Sequence, residues 1–585
     1  MLSSSLFAAI VGLISVADAA LVPVTGRTSG IDPSTNAVPM RRNINDLYYE
    51  SGPEFHLYVQ AMAALQAKDS RDPESWFQIM GIHGSPPIPW NEEPQSTTGI
   101  TGYCPHSEEL FATWHRPYTI LYEQALGKAA QEIANTYPVS MRSEYQQAAD
   151  RLRSPYWDWA ADFNVPPVST LPELTIPKPN INGSSLVNAT IANPLYSFKF
   201  PTEAMNGEFG GWTPSSDHTR RCPDSNGVSQ PNKGSELLSS RGLKESVYNT
   251  FTRSNSFLSA MSQRGRGASF ESPHGTIHVY AACGEQLLSV AESGFDPLFM
   301  LHHTNVDRLI AMWQVMYPSE DMFRYTYDSY GTATIAKGTV VGNMTELGPF
   351  RGSDSSFLTS IDVRNVWDFG YTYDGIFPWS RSADDMTRDV TVIVNNLYAP
   401  VGSIATSRKG RRHSQKRSAT TEFYAEISAV VDKFPRPCTM QLFIKDKLAG
   451  TFPMLARPVT GTVYGEIALQ KGIEEAGLSG GDDEMLKSIQ ENMVIKFEMP
   501  DGSAVPYGSI GEYSIDIEKV SVVKPTVPEE LPSFGLSELF EAIPKLINVD
   551  IDIDLDDSPS FKLNITGLGL SINIDTDDDD DEDKN

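Results

Sequence analysis

Seven of the ten histidines in this chain fall in two short regions. The first region holds His83, His106 and His115, and the second holds His274, His278, His302 and His303. Histidines scattered through a core for packing alone would not gather in this way. Three imidazoles per region, with no cysteine at a repeating ligand interval, suit a transition metal: copper, zinc, iron or nickel. The chemistry to expect is therefore that of two metal sites, each built by three histidines.

Such sites need elements that bring the rings together. His274 and His278 are four residues apart, which on a helix places both on one face, one turn apart. Pro273 suits the first turn of that helix. His106 and His115 are nine apart and would point to opposite faces of one continuous helix at ~100° per residue. They converge only if His106 lies in the loop before the helix. Ser107 is a candidate N-cap for that boundary, with Glu108 and Glu109 in the first turn. His83 is expected from an earlier loop or helix end. Neighbours on a helix diverge by ~100°, so at most one of His302 and His303 is a ligand. His303 shares a face with Asp307, which could orient the ligand region as an outer partner. The residues alone leave the choice between the two histidines open. Apolar spacing predicts helices over Leu110–Ala125 and Pro297–Met316.

The chain has 585 residues, enough for about two to four domains. Its formal charge of −28 argues against a nucleic-acid partner, because a phosphate backbone needs a basic surface. Residues 1–20 read as a secretory signal peptide, with an apolar stretch Leu6–Val16 and small residues at Ala17 and Ala19. No segment suits a membrane span. Asn182, Asn188, Asn343 and Asn564 sit in N-glycosylation sequons, which fits an extracellular protein. Residues 21–380 mix helices with long loops, and the alternation over Trp367–Tyr373 reads as a strand. Residues 381–420 read as a linker. Its basic run offers dibasic processing sites after Arg412 or Arg417, so a processing protease is an expected partner. Residues 421–525 alternate like a small antiparallel β-sandwich. Residues 526–585 end in an acidic run and read as a disordered tail.

The motifs Gly102-Tyr103-Cys104-Pro105-His106, Trp114-His115-Arg116-Pro117-Tyr118 and Asp296-Pro297-x-Phe299 leading to His303-x-x-x-Asp307 resemble the tyrosinase and catechol oxidase family, the type-3 dicopper polyphenol oxidases. Pro155–Trp159 and Tyr371–Tyr373 are similar to further hallmarks, and the likeness is greatest to the long secreted fungal members. The resemblance implies a mainly α catalytic domain, a four-helix bundle around two coppers with long loops, followed by the C-terminal β-sandwich. It implies that His83, His106 and His115 bind one copper and His274, His278 and His303 the other. It also implies a thioether between Cys104 and His106, and a water-holding role for Glu271. O2 is then the co-substrate, small phenols the substrates and an o-quinone the product. Gly275 stands where many tyrosinases of the family have Asn, so catechol oxidation is expected more firmly than monophenol hydroxylation. Val290 is the position of a small gate residue above the second copper. As in relatives, the C-terminal domain is expected to cap the site of a latent proenzyme, with Phe434, Phe452 and Tyr464 as candidate plugs. Some fungal relatives carry a CxxC in that domain, where this chain has only Cys438.

With Cys104 in a thioether, a Cys222–Cys283 disulfide is expected, leaving Cys438 free. An oxygen carrier with the same dicopper centre, as in haemocyanins, is the alternative reading; the leader and the processing site favour an enzyme. A zinc hydrolase could use the HxxxH pair but would not explain two three-histidine sets or Cys104.

Overall fold

Four helices buried on nearly every side form the centre of the molecule. The computed structural model describes residues 21–95, 100–320, 322–402 and 419–546, and the strand backbone of Asn548–Asp552, Phe561–Thr566 and Leu570–Ile574. The expected leader, Arg412, Arg417 and the terminal acidic run lie outside the described residues. Helix α1 (Pro53–Ala67) begins with proline, whose missing N–H costs nothing in a first turn. Helix α2 (Trp76–Gly81) is capped by Ser75, whose hydroxyl accepts from Gln78 N at 3.1 Å. Next come α3 (Leu110–Ala134), α4 (Leu243–Arg253), α5 (Glu271–Tyr280), α6 (Leu298–Met316) and α7 (Ala383–Tyr398). Helices α1, α3, α6 and α5 pack in that spatial order. All ten residues of α5 are buried, and α6 has buried residues around its whole circumference. A helix without a polar face belongs inside a bundle.

Buried polar residues on α6 hold the surrounding loops. Arg308 donates to Asp158 at 3.0 Å and to the Tyr398 hydroxyl at 2.8 Å, which ties the Pro155–Trp159 loop and α7 to the bundle. Asp307 accepts from Arg116 Nε at 2.6 Å, from Arg41 Nη1 at 3.1 Å, and from the hydroxyls of Tyr371 and Tyr373 at 2.8 Å each.

The C-terminal domain is a sandwich of two four-stranded sheets. Its strands are β1 (Ala419–Val430), β2 (Cys438–Ile444), β3 (Lys447–Met454), β4 (Thr462–Ala468), β5 (Met493–Glu498), β6 (Tyr513–Val523), β7 (Ser533–Ala542) and β8 (Lys545–Leu546). One sheet runs β4-β1-β6-β7, and the other runs β8-β5-β2-β3. Every pairing is antiparallel except β8 with β5. Ile427 lies opposite Ile515 in one sheet; Met440, Leu442 and Ile495 from the other complete the core.

Several boundaries differ from the sequence expectation. Helix α7 occupies much of the expected 381–420 linker, because its apolar face packs on α6 and α4. The sandwich extends past 525 to Leu546, since β7 and β8 complete the two sheets. Strand β7 is mostly solvent-exposed, so it lacks the apolar alternation that marks a half-buried strand. Trp367–Tyr373 is not a strand: Val366–Phe369 is a 3₁₀ turn, and Thr372 makes a single bridge to Met40. The alternation there serves Tyr371 and Tyr373, whose hydroxyls both reach Asp307.

Candidate metal centre

His83 lies two residues beyond α2, His106 lies in the loop before α3, and His115 lies in the second turn of α3. Their ring centroids are 5.6, 5.6 and 5.5 Å apart. On the other side, His274 and His278 project from α5, and His302 and His303 from α6. The His274 ring lies 4.5 Å from His278 and 5.0 Å from His303. The two sets face each other: His115 stacks on His303 at 4.5 Å, and His106 lies 6.0 Å from His274.

Backbone carbonyls fix several of these rings. The Nδ1 of His83 bonds Val290 O at 3.0 Å, that of His115 bonds Phe111 O at 2.7 Å, and that of His278 bonds Leu287 O at 2.6 Å. An Nδ1–H that donates to a carbonyl leaves the Nε2 lone pair for a metal. Among the described residues the Nε2 atoms of His83 and His115 are buried without a hydrogen-bond partner, as are both ring nitrogens of His302 and of His303. Burial pushes all seven imidazoles below their ordinary pKa, His115 to about 3 and His278 to about 4. Neutral imidazoles with orphaned nitrogens are the donor set a transition metal takes. His83, His106 and His115 form one group able to hold an ion, and His274, His278, His302 and His303 another.

His302 and His303 both reach the second set, but they differ in surroundings. His303 stacks on Phe299 at 4.2 Å and touches rings of both sets. His302 packs on Trp159 at 5.9 Å and touches rings of the second set alone.

The loop carrying His106 is held differently from the expectation. Ser107 is not the N-cap of α3; it adopts a left-handed φ of 55°, and the helix begins at Leu110. Its N–H donates instead to Glu271 Oε1 at 2.6 Å, while Gln263 N donates to Oε2 at 2.9 Å. Glu271 thus straps the His106 loop to α5. Burial raises its pKa to about 8. Asp307 engages two arginines and two tyrosines rather than the His303 ring, so it locks α3 to α6. The Val290 carbonyl accepts from His83 Nδ1 of the first set. Cys104 is a free thiol, wholly buried, and burial pushes its pKa to about 12. Cys222 and Cys283 form a disulfide, and Cys438 is free.

The C-terminal domain covers this centre with a segment absent from the expected plugs. Phe434 and Phe452 belong to the sandwich's own core, because each lies between its two sheets. Tyr464 lies under Arg266, its N–H donating to Gln263 O at 2.7 Å. The covering segment is Pro453–Arg457. Gln263 Nε2 donates to Pro453 O at 3.2 Å, and Leu455 packs against the core of the catalytic domain. Arg457 donates to Thr101 O, and its Nη1 is buried without a partner among the described residues. Its charge helps to depress the pKa of His83 and His106, after burial and the neighbouring imidazoles. A second contact between the domains is Arg253 of α4, which lies 3.6 Å over the Tyr424 ring and pairs with Glu466 and Glu518. With Glu426, those two acids form a third cluster, which this guanidinium already neutralises in part. Nothing in the periodicity of the sequence marks Gln263, Arg253 or Arg457; their partners across the domain boundary lie 190 or more residues away.

The family model for the common central domain of tyrosinase matches residues 73–316, which contain all seven of these histidines. A tyrosinase of Podospora anserina is 34% identical over 404 residues, 64% of this chain and 69% of its own length. A tyrosinase of Neurospora crassa is 35% identical over 379 residues, 60% of this chain and 54% of its own. Among solved structures, that of latent and active mushroom tyrosinase shares the fold with a TM-score of 0.75 at 23% identity, over 90% of this chain and all of the other.

Proposed function

This chain belongs to the tyrosinase family, and from that premise we propose that it is a latent polyphenol oxidase that oxidises o-diphenols to o-quinones with O2 at two coppers. The observation that carries the reading is the pair of three-histidine sets facing each other across 4.5 Å between the His115 and His303 rings. His83, His106 and His115 would hold one copper; His274, His278 and His303 would hold the other. Copper there would supply O2 binding and the acceptance of two electrons from the diphenol. The ligand rings are held by the carbonyls of Phe111, Leu287 and Val290, which fix tautomer and direction. His303 is favoured over His302 because its ring lies between the two sets.

Glu271 would act as a proton or water holder beside the centre, as well as holding Ser107 and Gln263. Position 275 has no side chain to hold a water for a monophenol, which favours diphenol substrates. Phe299 and Phe111 supply aromatic walls against His303 and His274. The Pro453–Leu455 segment would shield the centre until cleavage in 408–417 releases the C-terminal domain. The leader and sequons support secretion; among the described residues no helix is long and apolar enough to cross a membrane.

The test is oxygen uptake by the copper-loaded, linker-cleaved protein on a matched monophenol and catechol. Uptake on the catechol, with little on the monophenol, is expected. Reversible oxygenation without catechol turnover would make the protein an oxygen carrier. Two zinc ions and no copper on metal analysis would overturn both readings.

A further inference from the structure

Gly275 sits inside α5 with ordinary helical dihedrals. Glycine is a poor residue for a helix interior, so its place there needs a reason that alanine would not satisfy. The reason lies across the domain boundary. A β-carbon at 275 would meet Pro453 Cγ at 3.0 Å, Pro453 Cβ at 3.5 Å and Leu455 Cγ at 3.6 Å. All three atoms belong to the C-terminal domain. Their segment cannot easily retreat: Pro453 pairs with Thr439 in the sheet, its carbonyl accepts from Gln263, and Arg436 Nη1 holds the Leu455 carbonyl at 3.1 Å. Gln263 in turn donates from its backbone to Glu271, the first residue of α5.

We propose that Gly275 is the docking position of the C-terminal domain on the catalytic domain: its missing side chain lets Pro453 and Leu455 seat directly on the helix that carries His274 and His278. The absence of a side chain here then serves the fit between two domains, whatever it also does to substrate choice. The inference rests on the reading of the C-terminal domain as a shield, and extends it to a specific contact.

The test uses the copper-loaded full chain nicked in the linker, in four forms: wild type, Gly275→Ala, Pro453→Ala and the double variant. Alanine favours the helix, so Gly275→Ala keeps α5 folded. Pro453→Ala removes the atom at 3.0 Å and leaves only ordinary contacts. Dissociation of the nicked C-terminal fragment is measured by sedimentation on dilution. Oxygen uptake on a catechol is compared before and after nicking and separation. Gly275→Ala is expected to weaken retention of the fragment about tenfold and to raise the ratio of uncleaved to separated activity. The double variant is expected to return both towards wild type, which a role of Gly275 confined to substrate would not produce. Wild-type retention in Gly275→Ala, or no recovery in the double variant, overturns the proposal. Equal wild-type activity before and after separation would overturn the shielding reading alone, and the retention data would still decide the docking contact.

Discussion

Replacing Asp307 by asparagine tests whether the buried ion network locks the metal-bearing helices together. The carboxylate is buried and takes four donors: Arg116 Nε, Arg41 Nη1 and the hydroxyls of Tyr371 and Tyr373. An amide keeps one acceptor oxygen and turns an NH2 group towards donors. Whichever way it sits, one guanidinium loses its partner and the site gains a buried positive charge. Breaking a buried pair from one side costs roughly 3–5 kcal/mol. Arg41 keeps Glu123 at 2.8 Å, and Arg116 keeps the Val363 and Arg364 carbonyls at 2.9 and 2.8 Å, which puts the expected cost at the lower end, about 3 kcal/mol. At roughly 2 °C per kcal/mol for a large domain, Tm should fall by about 6 °C at pH 7. The two arginines hold the Asp307 carboxyl below its ordinary pKa against the opposing effect of burial. A depressed folded-state pKa gives stability that is present above the unfolded value, near ~4, and is lost as pH falls through the folded one. The gap between wild type and Asp307→Asn should therefore stay level between about pH 5 and 8 and narrow at lower pH. Thermal unfolding of the metal-free protein across that range measures it. A gap under about 1 kcal/mol at pH 7 would show that the network does not carry the load assigned to it.

Two further predictions concern the centre itself. His303→Ala should bind one copper per chain while His302→Ala binds two, read by metal analysis; the reverse pattern would assign the ligand to His302. Intact mass of the copper-matured, reduced wild type should be two hydrogens below its sequence mass if Cys104 forms the thioether with His106, and Cys104→Ser should show no deficit. A wild type at full mass would rule the thioether out.

Much of the centre was legible because its signals are local. The HxxxH spacing depends only on helical pitch, and α5 carries His274 and His278 on one face as that pitch requires. The placement of His106 outside the helix followed from the same geometry. The N-cap assignment to Ser107 failed because the helix starts only at Leu110, while the loop at Ser107 takes a left-handed backbone whose N–H is held by the distant Glu271. The linker and tail boundaries failed because α7 and β7 gain their stability from partners in α6 and β6, which local pattern does not reveal. The plug residues failed for a related reason. An aromatic in an alternating strand can face either its own domain's core or a neighbour, and Phe434 and Phe452 face their own.

The sequence by itself determined the ligand chemistry: seven histidines in two sets, the helices that carry His115, His274, His278, His302 and His303, and a second, β-rich domain. These follow from residue type and from short-range periodicity, which tertiary contacts do not alter. Only the tertiary structure decided what holds and covers the centre. Glu271 reaching Ser107, Asp307 between Arg41 and Arg116, and Pro453 over Gly275 each join residues more than 150 positions apart. Such contacts arise when segments distant in sequence close-pack, and an atom's room is then set by whichever distant surface comes to rest against it.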